Sequence, residues 1–278
     1  HEMGRDRPLL RISLALLLGL GLGNHLTLAM LAFPLVVWSY TWENDRDSRM
    51  RLLRDWRVPA ALVVGLSVYL YAPLASSQSP LLNWGHPENA DGFWWMLSGS
   101  IYQSYQFGIE GSQIPVRLSE IAEIALAQYA FVGIVLAIVG ATFVYELGRG
   151  FLIASAASGM LVISYAVGYD TVDSFLYLIP IFMLLGVFAG VGMAGLLSAV
   201  QRTATARGLI EWPRWRDGLI AVAILAAVPG FSVFANYSEL DLSDDREAQQ
   251  YAVDSFMTAG RGSVILATEA GPIFSLWY

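Results

Sequence analysis

Cysteine and lysine are both missing from this chain, and histidine occurs three times in 278 residues. Without cysteine there is no disulfide, no thiolate nucleophile and no sulfur ligand for a metal. Three histidines and scattered carboxylates give no zinc-type spacing, so no metal site or cofactor is expected from this chain alone. Charge is scarce as well: 14% of residues are charged and the net charge is −7. With no basic face to neutralise phosphates, nucleic acid is not an expected partner. There is no P-loop, dinucleotide fingerprint, nucleophile elbow or internal repeat.

What is present is apolar. Hydrophobic residues make up 56% of the chain and the mean hydropathy is +0.53, which indicates a polytopic, all-α membrane protein rather than a soluble one. Residues 8–42 are apolar almost throughout, and one helix of that length would measure roughly 52 Å against a hydrocarbon core of about 30 Å. Two spans are therefore expected, turning at Gly23-Asn24-His25, with Gly19 and Gly23 placed for close helix contact and Pro34 kinking the second. Further spans are expected over about Val58–Tyr71, Tyr129–Leu147, Phe151–Gly168, a sixth ending near Val200, and Gly218–Phe234. Of the sixteen basic residues, all Arg, this scheme leaves only Arg117, Arg246 and Arg261 outside. That asymmetry orients seven spans with the C-terminal region on the outer side.

Between the third and fourth spans lies an expected outer loop, residues 72–128, that concentrates functional chemistry. Trp84, Trp94, Trp95, Tyr102 and Tyr105 suit a membrane–water boundary, while His86, Glu88 and Asp91 can bind or transfer protons. The loop reads either as a cover over a membrane-embedded cavity or as an aromatic anchor belt carrying an interfacial helix over Phe93–Tyr105. Arg117 could hold an anionic donor, or pair with Glu120 one turn on. His25 could bind a phosphate or shuttle a proton, or stand as a turn histidine in interfacial water. A helix beginning near Thr171 would put Asp173 and Tyr177 on one face, with Asp170 as its cap.

Composition turns soluble at about residue 236, so the chain divides into a transmembrane domain, 1–235, and an outer domain, 236–278. Ser243-Asp244-Asp245 opens a helix that Gly260 follows, Ser263–Ala267 is a β-prone run, and Gly271-Pro272 breaks what comes next. This reads as the start of an outer α/β domain. The chain begins at His1 and reads as a fragment of a longer protein.

Five stretches carry a resemblance: Gly19-Leu-Gly-Leu-Gly-Asn-His25; Tyr69-Leu-Tyr-Ala-Pro73; Asn83-Trp-Gly-His-Pro87 with Phe93-Trp-Trp95; Tyr169-Asp-Thr-Val-Asp173 with Tyr177 and Pro180; and Asn236 to Arg246. In this order they resemble a bacterial membrane family similar to the eukaryotic transmembrane protein O-mannosyltransferases of the GT-C glycosyltransferase superfamily. The resemblance implies a multi-pass enzyme of the bacterial inner membrane. It would move a sugar, such as mannose, from a polyprenyl-phosphate carrier to a hydroxyl of a protein or glycan on the outer face. Its partners would be membrane lipid, the lipid-linked donor and the acceptor.

The resemblance implies a principal catalytic carboxylate in a first outer loop, expected to lie outside this fragment. The remaining candidates are Asp173, Glu88 and His86 for catalysis and His25, Trp84, Arg117 and Tyr177 for substrate binding. Near the C-terminus, where relatives tend to have Gly-Asp, this chain has Thr268-Glu269. The rival readings are a transporter or flippase for a lipid-linked sugar, and a non-catalytic anchor for the outer domain. A transporter should show helices broken within the membrane, and the sequence shows none.

Overall fold

A computed structural model describes residues 8–42, 54–81, 83–207, 219, 222–223, 230, 233–234, 236–238, 240–267 and 270–277. The first pair of helices, α1 (Pro8–Asn24) and α2 (Leu28–Trp42), confirms that the apolar run divides in two. The turn falls two residues later than expected, at His25–Thr27, because α1 stays hydrogen-bonded through its last turn, where the His25 N–H donates to the Gly21 carbonyl at 2.9 Å. Pro34 lies inside α2, which continues through it.

The third apolar segment is α3 (Arg57–Leu66), a 3₁₀ stretch (Ser67–Leu70) and α4 (Tyr71–Ser76) in unbroken succession. After the loop comes α5 (Ala90–Leu97), then the long α6 (Ile114–Leu147), α7 (Arg149–Gly168), a 3₁₀ turn (Ser174–Leu178) and α8 (Ile179–Ala206). Pro115 and Pro180 sit in the first turns of α6 and α8, where a missing N–H costs least. The helix α8 runs to Ala206, six residues past the Val200 near which the sixth span is expected to end.

Among the described residues, four helical stretches are long and apolar enough to cross a membrane: Arg57–Ser76, Gly111–Tyr145, Arg149–Gly168 and Ser174–Ala206. Pro8–Asn24 and Leu28–Ser39 are apolar but shorter. The expected span over Gly218–Phe234, and the loop with Arg214 and Arg216, lie largely outside the described residues.

The helices pack in pairs, α1 on α3, α2 on α7 and α6 on α8. Glycine permits two of these crossings. A Cβ on Gly19 would strike the Leu62 carbonyl, and one on Gly65 the Leu16 carbonyl; Gly140 and Gly192 meet the backbones of α8 and α6 in the same way. Backbones approach closely where no side chain intervenes, which is how apolar helices gain packing when lipid removes the hydrophobic incentive to associate. The Ser158 side chain, fully buried, donates to the Leu31 carbonyl at 2.8 Å and ties α7 to α2. Ala166, Leu178 and Phe182 form a core with Ile121, Ile124 and Tyr129 against them, directly beneath the connector from α7 to α8.

A break interrupts α6. Ala130 has φ 49° and ψ 176°, a conformation a side chain rarely adopts. It lies inside the apolar stretch Gly111–Tyr145, which starts well before the Tyr129 expected for the fourth span. The sequence reading of uninterrupted membrane helices is thereby corrected.

The chain divides into two compact units, His1–Ala221 and Val222–Tyr278. In the second, α9 (Glu247–Ala259) follows Asp245, whose carboxylate accepts the Glu247 N–H at 2.8 Å, and ends at Gly260 with φ 74°. Helix α10 (Ala270–Trp277) carries Pro272 in its first turn, so Gly271-Pro272 starts a helix rather than breaking one. No strand occurs among the described residues, and the β-prone 263–267 is without regular structure.

Candidate functional site at the α7–α8 connector

The connector forms because Tyr169 turns extended at the end of α7 and the chain must reverse into α8. Its backbone is pinned from two directions. The Asp170 N–H donates to the Tyr105 carbonyl at 2.9 Å, which fastens the outer loop to it. From α6, Arg117 Nη1 donates to the Thr171 carbonyl at 3.0 Å and to the Ser174 hydroxyl. The expected pairing of Arg117 with Glu120 is not formed: the guanidinium turns instead to the neutral acceptors of the connector. Arg117, Glu120 and Glu123 line a cleft of about 300 Å³ whose other wall is apolar, Ile121, Ile124 and Leu178 among it.

On the other side of the same segment the aromatic rings gather. Tyr165, Tyr169 and Tyr177 lie with ring centres 5.0–5.3 Å apart, and the His25 ring meets Tyr177 edge-on at 5.3 Å. Thr27 holds His25 Nδ1 at 2.8 Å, leaving Nε2 as the nitrogen free of that contact. Burial, then the Tyr177 hydroxyl and the Asp173 charge, push the Tyr169 phenol well above its ordinary value, so it acts as a hydrogen-bond donor and not as a base. Asp170 does not cap a helix. The 3₁₀ turn starts only at Ser174, with Asp173 at its cap position and no side-chain hydrogen bond there.

His86, Glu88 and Trp84 stand in a second cluster. Ser76, at the end of α4, donates its single hydroxyl proton to Asn83 Oδ1, 2.8 Å away, or to the Glu88 carboxylate. Asn83 Nδ2 donates to Glu88 at 3.1 Å, and His86 Nδ1 lies 3.1 Å from its other oxygen. These contacts, the Ser76 hydroxyl foremost, hold the Glu88 carboxyl down at about 2. The loop can close so tightly because Gly85 and His86 both take positive φ, 73° and 51°. Trp84 packs against Trp95 at 6.0 Å. Asn89 caps α5 by accepting the Gly92 N–H at 2.8 Å. The interfacial helix expected over Phe93–Tyr105 is instead α5 and a 3₁₀ turn, Ser100–Tyr105, separated by Gly99 at φ 60°.

The structure thus brings Arg117, His25, Tyr177 and Asp173 to one connector. Among the described residues no hydrogen bond links His86 or Glu88 to it. No family model, curated protein or solved structure matches the chain. Among the described residues no group of three or more His, Asp or Glu side chains could hold a metal ion. Sequence reasoning missed Ser76, Tyr165 and Ser174, small or apolar-flanked residues whose roles depend on what the fold sets opposite them.

Proposed function

We propose that the chain is part of an integral-membrane glycosyltransferase that takes a sugar from a polyprenyl-phosphate carrier and passes it to a hydroxyl at the outer face. The observation that carries this reading is the connector itself, where Arg117, from a distant part of the chain, binds the Thr171 carbonyl and the Ser174 hydroxyl, the residues that flank Asp173, at the ends of apolar helices. Arg117 beside an apolar wall suits a lipid phosphate. Asp173, next to Ser174 and among tyrosine hydroxyls, suits the role of accepting the acceptor's proton. Glu88 suits it poorly, because a carboxylate held near 2 is a weak base. The five-stretch resemblance to the O-mannosyltransferase-like family, with the bacterial inner membrane location and outer C-terminal region it implies, supports the same reading, as do the four stretches among the described residues that are long and apolar enough to cross a membrane.

The test is sugar transfer from polyprenyl-phosphate-linked donors by membranes containing the protein, with Asp173→Asn at equal membrane level. Transfer is expected, reduced roughly a hundredfold or more in the variant, the usual scale of a lost acid–base group. The discontinuity of α6 at Ala130 favours a second reading, a flippase for the same lipid-linked sugar, since broken helices are a feature of transporters. No transfer with any donor, while labelled lipid-linked sugar crosses the bilayer, would exchange the first reading for the second.

A further inference from the structure

The Arg117 cleft has a charge pattern that a simple anion does not fit. Arg117 spends Nη1 on the Thr171 carbonyl and the Ser174 hydroxyl, which leaves Nε and Nη2, three of the five N–H donors of a guanidinium, for a ligand. Its charge meets only neutral acceptors. Glu120 and Glu123 line the same cleft, and among the described residues neither makes an ion pair or a side-chain hydrogen bond. One cation and two carboxylates therefore stand uncompensated around about 300 Å³. Residues one helical turn apart have Cβ atoms about 5–6 Å from each other. At that spacing Arg117 and Glu120 could pair, yet no ion pair joins them, because the guanidinium is turned to the connector.

Two more observations bear on the occupant. The wall opposite the charges is apolar, made by Ile121, Ile124 and Leu178 among others, and the cleft lies where α6 and α8 begin and α7 ends. That is where a headgroup meets acyl chains if these helices cross a membrane. Beside it, the Thr171 hydroxyl oxygen is buried and has no hydrogen-bond partner among the described residues. A buried polar atom left in that state is unfavourable unless something else satisfies it.

We infer that the cleft is a binding site for a zwitterionic phospholipid of the phosphatidylethanolamine type, its phosphate on Arg117 and its ammonium on Glu120 and Glu123. An anionic headgroup would match the arginine and be repelled by both carboxylates. A headgroup with both signs meets partners for each. The inference does not rest on the transferase reading; a lipid-linked donor using Arg117 would have to displace this occupant.

The experiment adds phosphatidylethanolamine or phosphatidylglycerol of identical acyl chains to the detergent-purified protein and reads retained lipid by native mass spectrometry. The wild-type protein is expected to retain phosphatidylethanolamine about tenfold more than phosphatidylglycerol, a difference of about 1.4 kcal/mol. The Glu120→Gln/Glu123→Gln variant should lose that preference or reverse it, and Arg117→Gln should release both lipids. Equal retention of the two lipids by the wild type overturns the inference, and so does a preference that survives in the double Gln variant. Both glutamates are exposed, so this variant keeps the test decisive if Arg117→Gln does not fold.

Discussion

The two polar clusters of this protein are built in opposite ways. Ser76, Asn83, His86 and Glu88 come from thirteen consecutive residues and bond with one another, so that Glu88 has three side chains within hydrogen-bond distance. The connector cluster draws His25, Arg117 and the pair Asp173 and Tyr177 from three separate places and leaves Arg117, Glu120 and Glu123 without an ion-pair partner among the described residues. A network that closes on itself staples a loop, because its members spend their hydrogen bonds on one another. An assembled cluster with spare donors and acceptors has something left to offer a ligand, at the cost of depending on the whole helix packing.

That dependence gives the largest expected effect. Gly192→Val would force a side chain against the Leu136 carbonyl at the α6–α8 crossing and should cost about 1–3 kcal/mol. Amides over Thr171–Leu178 should then exchange faster with deuterium while those over 83–92 keep their rates. Equal acceleration in both places would show that the staple, too, rests on the crossing.

Asn89→Ala addresses the other side of the comparison. Loss of the cap on α5 should cost about 1 kcal/mol, and exchange should quicken around Gly92 with no change at the connector. A disturbed connector would mean that the two clusters are not independent.

The smallest effect is the pH response of the staple. The Glu88 carboxyl is depressed from 4.5 to about 2 in the folded protein. The charge-dependent stability it contributes is therefore complete above pH 4.5 and is lost as the pH falls through about 2. Trp84 and Trp95 pack on one another within this loop, so their fluorescence should report its loosening in acid. In Glu88→Gln that acid transition should be absent, and a transition that persists there would assign the response to another group.

Residue by residue, the local features were legible and the distant ones were not. Gly85, between Trp84 and His86 in a Gly- and Pro-containing stretch, is a residue type suited to a turn and has φ 73°. The division of the first apolar run into two helices followed from length against membrane thickness, as did the helix over Glu247–Ala259 from acidic residues ahead of it and Gly260 behind it. Arg117 was expected to choose between an anion and Glu120, and instead binds Thr171 and Ser174, more than fifty residues away. Asp170 was expected to cap a helix that starts four residues later. The break at Ala130 had no signal, since alanine is the strongest helix former and neither Gly nor Pro marks the position.

Composition alone determined that this chain is helical and suited to a membrane, because helices satisfy their own backbone and apolar side chains need no particular partner in lipid. Which polar residues meet was decided only in the tertiary structure. The α6–α8 crossing at Gly140 and Gly192, and the turn that carries His25 to Tyr177, set residues far apart in sequence within hydrogen-bond or ring-contact distance. Periodicity within a helix fixes the face a residue occupies, but not what stands opposite it.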